Sequence, residues 1–270
     1  MHMQSISIIG GTGMKKLLDS PFLEGSGIEL IANNGFIVET DFGEVPVDRL
    51  TMVTKEGEFG LTFIHRHHGE DGKTTPPHKV NYRANVSAAA AARPEFVLTI
   101  HSVGTLIEGL PPGSLGLAAD IIDFTGIVST FHDDDAVHFD LSNHFRPALR
   151  TQLRPLITQS QSGISFGKEG QVVEHIVAQM PGPQFETVAE IEALFRLGAT
   201  TVGMTLSPEA RLVCEKKLGQ VALLVASNWA VGRHPDGPDI KVDHESVEAQ
   251  AEQLHKLIWQ SITTLINGCI

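Results

Sequence analysis

The sequence predicts an α/β fold in one domain, and three observations predict it. Short apolar runs rich in β-branched residues recur along the chain, helical patterns lie between several of them, and most runs end at a loop carrying glycine or a small hydroxyl. Seven runs read as buried strands: SISIIG (5–10), GLTFIH (60–65), FVLTIH (96–101), LAADIIDF (117–124), VVEHIVAQM (172–180), TTVGM (200–204) and VALLVAS (221–227). Between them, KVNYRANVSAAAAAR is an alanine-rich helix. ETVAEIEALFRLG places Val188, Ile191, Leu194 and Phe195 on one face and stops at Gly198; SPEARLVCEKKLG has Ser207 as N-cap, Pro208 in its first turn and Gly219 as its stop. HPDGPDIKVD reads as a loop, and Asp243 to about Ile266 as one long amphipathic helix lying on the sheet.

Composition narrows the function. With 270 residues, 41% of them hydrophobic, the chain can bury one sizeable core. Asp and Glu number 32 against 20 Lys and Arg, a formal charge of −12, so no basic surface invites nucleic acid or an anionic membrane. An anion must be bound locally, by groups aimed inward. Only Cys214 and Cys269 carry thiols, which argues against a disulfide framework or a thiolate metal site and suits a reducing cytoplasm. The sequence shows no signal-peptide pattern and no apolar run near 18 residues, so a soluble cytoplasmic protein is expected.

Open α/β sheets bind ligands at the carboxyl ends of their strands, so the loops there carry the search. They read GGTG (10–13), RHHG (66–69), SVGT (102–105), PGPQFE (181–186), TLSPE (205–209) and NWAVGR (228–233). Thr12, Ser102 and Thr205 are hydroxyls at glycine turns or helix starts, joined by Arg66 and His67. Backbone N–H groups, hydroxyls and one guanidinium are what a small oxyanion needs. A dinucleotide reading of GGTG fails because Lys16 stands where the third glycine belongs, and no P-loop spacing is present. Thirteen histidines, four of them in HRHHG and PPH, raise the question of a metal, but no His-x-Glu-x-x-His helical pair occurs, and no metal is expected. Glu186 reads two ways: as a helix-start acid favoured by the dipole, or as an acceptor aimed at a ligand.

IIGGTGM, RHHGEDGKTTPPHKVNYRAN, GPQFETVAEIE, VGMTLSPEARL and ASNWAVGR together, in this order and at these separations, resemble the trimeric purine nucleoside phosphorylase and methylthioadenosine phosphorylase family over essentially the whole chain. The resemblance implies one nucleoside phosphorylase domain over 1–270, with a central mixed β-sheet flanked by helices, a homotrimer, and phosphate as co-substrate with no other cofactor. It implies a phosphate cradle of Thr12, Arg66, His67, Ser102 and Thr205, with His68 as the alternative to His67. Met204 would lie under the sugar, Phe185 would line the base pocket, and Glu186 with Asn228 would read the purine; Arg66, Glu186 and Asn228 are the residues expected to carry catalysis. His244 stands where family members of the 6-oxopurine type meet the 5′-hydroxyl. The loop HSVGTL, with His101 and Ser102, departs from the alanine-rich loop of relatives. A neighbouring subunit would contribute from the loop Phe131–His138.

The chemistry suits these groups. Cleaving a glycosidic bond through an oxocarbenium-like transition state leaves positive charge on the sugar and negative charge on the departing base, which phosphate and an amide at purine N7 respectively stabilise. Hypoxanthine and guanine carry N1–H, whereas adenine presents a bare acceptor to an ionised Glu186. Inosine and guanosine are therefore the expected substrates in purine salvage. Methylthioinosine or methylthioadenosine phosphorolysis is the alternative, and a nucleoside- or phosphate-binding protein without catalysis is a third reading.

Overall fold

The computed structural model describes residues 3–14, 16–69, 72–168, 170–237 and 254–269. Nine strands form one mixed sheet: β1 (Gln4–Gly10), β2 (Glu29–Thr40), β3 (Gly43–Thr54), β4 (Gly57–His65), β5 (Val97–Thr105), β6 (Leu115–Asp123), β7 (Glu174–Gln179), β8 (Thr201–Gly203) and β9 (Gln220–Trp229). All seven expected strands are present. β2 and β3 are additional, a long antiparallel hairpin that continues into β4. Their order, β2-β3-β4-β1-β5-β8-β7-β6-β9, closes on itself because β9 also pairs with β5. Five strands thus form a small barrel, and β1 to β4 extend it as an open sheet, so the barrel portion has no free edge to protect.

Helices cover the sheet on two faces. On one, α2 (Pro147–Ser160) and α5 (His255–Cys269) contribute Leu153, Ile157, Trp259, Ile262 and Ile266 to a core with Ile6, Ile8, Leu98 and Leu223. On the other, α1 (Tyr82–Ala91) and α4 (Leu206–Glu215) pack Val86, Ala88, Leu212 and Val213 against Ile9, Val47 and Val97. α3 (Val188–Arg196) sits over Leu106, Ala178 and Val202 through the buried Ile191 and the partly buried Leu194, so the expected apolar stripe is only partly used: Val188 is 55% exposed and Phe195 39%. The described part of the last helix starts at His255; the expected start at Asp243, and His244 with it, lies outside the described residues.

Three helix ends differ from expectation. Thr205, not Ser207, is the N-cap residue of α4, and Ser207 lies within the helix with its hydroxyl donating to Asp123 Oδ2 at 2.5 Å. Gly219 does not end α4: the helix stops at Lys216, and Lys217 takes the left-handed conformation that Gly219 was expected to supply. At α3 the N-cap is Thr187, whose side chain accepts the Glu190 N–H at 3.2 Å while Glu190 Oε2 accepts the Thr187 N–H at 2.7 Å, a reciprocal capping box. Glu190 therefore fills the helix-start role, and Glu186 stands outside the helix.

Candidate active site

β5 decides where the site lies. One of its edges runs along β9 throughout, from Val97 to Thr105. The other edge pairs with β1 over residues 97–100 and with β8 over 104–105, leaving His101, Ser102 and Val103 facing a gap between those two strands. A register shift at Val103/Gly104 turns the strand at the same point. Ser102 and Asn228 were expected in loops; both lie on strands instead, at this split and at the paired end of β9.

A cavity of about 330 Å³ opens there. Thr12, Arg66, His67, Ser102, Phe185, Glu186, Met204, Thr205 and Asn228 all line it, so every expected site residue among the described ones faces a single space. None of residues 131–138 does; that segment packs on its own chain, with Phe131 stacked near Phe42 and Asp133 paired with Arg83. The two histidine alternatives separate. His67 lines the cavity and donates from Nδ1 to Thr75 O at 2.8 Å, whereas His68 donates to Asn85 Oδ1 and borders a neighbouring cavity.

Arg66 is 1% exposed. Nε donates to Glu209 Oε1; Nη2 donates to Glu209 Oε2 at 2.8 Å and shares its other hydrogen between Ile9 O and His101 Nε2, each 3.3 Å away. Nη1 donates to Ile100 O at 2.8 Å. Of five N–H bonds, one on Nη1 is left without an acceptor among the described residues. Gly11 is glycine of necessity, since a Cβ there would collide with Arg66 Nη1 and Ile100 O. Burial pushes the Glu209 carboxyl up and the Arg66 guanidinium opposes the rise. Glu209 is the participant that sequence reasoning passed over, since an ion pair bridging 143 positions leaves no local pattern; His101 stands out in the HSVGTL loop, but the sequence assigns it no role. The N-terminus of α4, at Thr205, adds its dipole to the cavity.

Glu186, Phe185 and Asn228 line the same cavity. Burial pushes the Glu186 carboxyl up, its own backbone N–H lowers it, and Glu190 raises it slightly further. Asn228 Nδ2 donates one hydrogen to Trp229 O at 2.9 Å, and Ser227 Oγ stands 3.0 Å from Asn228 Oδ1, which fixes which end of the amide is the donor and leaves its second hydrogen for a ligand. Met204 lines the same cavity, and Gly182, at φ +61, has no room for a Cβ beside the Met204 sulfur. Among the described residues no group of three or more His, Cys, Asp or Glu side chains comes together as a metal-holding cluster, and no helix is long and apolar enough to cross a membrane.

Comparison with known proteins agrees with this architecture. The family model for the phosphorylase superfamily matches residues 25–263. A probable S-methyl-5′-thioinosine phosphorylase of Methanocaldococcus jannaschii is 35% identical over 231 residues, 84% of this chain and 79% of the relative. A probable 6-oxopurine nucleoside phosphorylase of Thermococcus kodakarensis is 34% identical over 268 residues, 94% of this chain and 89% of the relative. Among solved structures, a methylthioadenosine phosphorylase from an antarctic soil metagenomic library shares the fold, with a TM-score of 0.77 at 24% identity, covering 100% of this chain and 89% of that one. The chain belongs to the phosphorylase superfamily and is a pentosyltransferase of the nucleoside phosphorylase type.

Proposed function

We propose that this enzyme phosphorolyses 6-oxopurine nucleosides, inosine and guanosine, to the free base and ribose or deoxyribose 1-phosphate, with inorganic phosphate as co-substrate and no other cofactor. The observation that supports this is a single cavity lined by hydroxyls, a guanidinium, a buried carboxyl and an oriented amide. Phosphate, held by Thr12, Arg66, His67, Ser102 and Thr205, places an oxygen against C1′; that C–O bond forms as C1′–N9 breaks, and the bonding pair passes to the purine. Asn228 donates to N7 as charge arrives, and Glu186 accepts N1–H. Purine released from inosine only when phosphate is supplied is the expected result; equal release without phosphate defeats the reading.

Methylthioinosine is the second reading, favoured by the apolar wall of Pro76 and Pro77 on the cavity and by the name of the Methanocaldococcus relative. Comparing kcat/KM for methylthioinosine and inosine decides between them. The enzyme acts in purine salvage in the cytoplasm and assembles as a homotrimer; the exposed apolar Phe124 and Val128, at 79% and 81%, support the assembly. Sedimentation at the mass of one chain overturns the trimer.

A further inference from the structure

His101 is buried at the split in β5, and its two ring nitrogens face different partners. Nε2 lies 3.3 Å from Arg66 Nη2, a group that only donates. A proton on Nε2 would set donor against donor, and the Glu209 oxygen nearest to it, at 3.6 Å, is too far to relieve that. Nε2 therefore accepts, and Nδ1 carries the proton. Nδ1 is 2.8 Å from Thr205 Oγ1, so it donates there. The consequence falls on Thr205: its hydroxyl is already an acceptor, it makes no capping bond to α4, and among the described residues it has no other hydrogen-bond partner. Its own proton is left to point into the cavity that it lines. Burial and the neighbouring Arg66 hold the imidazole well below its ordinary pKa, in keeping with a neutral ring.

We propose that His101 is a positioning residue of the anion subsite: its Nδ1–H on Thr205 Oγ1 turns the Thr205 hydroxyl into an obligate donor to the co-substrate phosphate. This rests on the phosphorolysis reading above. The test is steady-state kinetics with inosine and phosphate varied separately. An asparagine amide reaches the position of Nδ1 and a glutamine amide that of Nε2, so H101N should keep a phosphate KM near that of the parent, whereas H101Q should raise it about tenfold, the worth of one hydrogen bond to an anion, with the inosine KM little changed. In a Thr205→Val background, H101Q should add nothing. Equal phosphate KM for H101N and H101Q, or an undiminished H101Q effect beside Val at 205, overturns the proposal while leaving phosphorolysis standing; a parent enzyme that cleaves without phosphate overturns both. Should H101Q not fold, ¹⁵N-histidine NMR of the parent, assigned by the signal missing in H101N, gives the answer directly: the Nδ1–H tautomer is expected, and an Nε2–H tautomer refutes the role.

Discussion

Arg66 and Glu186 both line the cavity, and they are held in opposite ways. Arg66 has four of its five N–H bonds committed to Glu209, to two backbone carbonyls and to a histidine, and its charge is balanced before any ligand arrives. Glu186 has its own backbone N–H as a partner and a carboxyl lifted by burial. The first arrangement fixes geometry at the cost of field strength: what it presents to an anion is one directed N–H in a frame that does not move. The second leaves a carboxyl whose partner is to be supplied by the ligand, which is how a pocket discriminates between bases.

The largest effect that separates the two residues is on folding. Removing the Arg66 partner with Glu209→Ala strands a buried cation, and a loss of about 3–5 kcal/mol is expected by denaturant titration; Glu186→Ala should leave stability nearly unchanged or improve it. A buried ring away from the cavity calibrates this scale. His175, 1% exposed, has its pKa lowered from 6.5 to about 4 by burial, so the unfolded chain takes up a proton before the folded one does. Stability should thus be complete above pH 6.5 and fall on acidification towards pH 4, by about 3 kcal/mol in total, a slope that His175→Gln removes.

Function gives the next effect in size. Glu186→Ala should lower kcat/KM for inosine by about 1–3 kcal/mol, roughly 5- to 150-fold, and change adenosine turnover little; equal losses on both nucleosides would refute its role as the N1–H acceptor. Because its carboxyl is raised, the ionised form is reached only as pH climbs through a value above the usual 4.5, so the inosine KM should fall with rising pH across that limb and become flat there in Glu186→Gln. The smallest effect concerns the helix cap that follows Glu186: Thr187→Ala should cost about 1 kcal/mol in thermal unfolding.

Much of this was legible from residues in line. The seven core strands announce themselves by apolar, β-branched runs, and the loops after them supplied the cavity's lining. The β2–β3 hairpin was not legible because β2 is wet on both faces, with Ile31 and Ile37 about half exposed, so neither an apolar run nor an in-out alternation marks it. α2 was hidden by Pro155 in its interior and a low apolar content. Position along the strands misled at Ser102 and Asn228, since β5 runs four residues past its apolar run, to Thr105, and β9 two past its own, to Trp229. The support beneath the site, Glu209 under Arg66 and His101 beside Thr205, comes together only when α4 and β5 pack.

The split strand has one more consequence. Ser102, which lines the cavity, and Gly104, whose register partner on β9 is Asn228, stand two positions apart on β5. At about 3.3 Å per residue the strand therefore fixes an interval of roughly 7 Å between these two positions. It acts as a ruler: inserting or deleting one residue there would change the stride between the two positions and turn every side chain beyond it to the other face of the sheet.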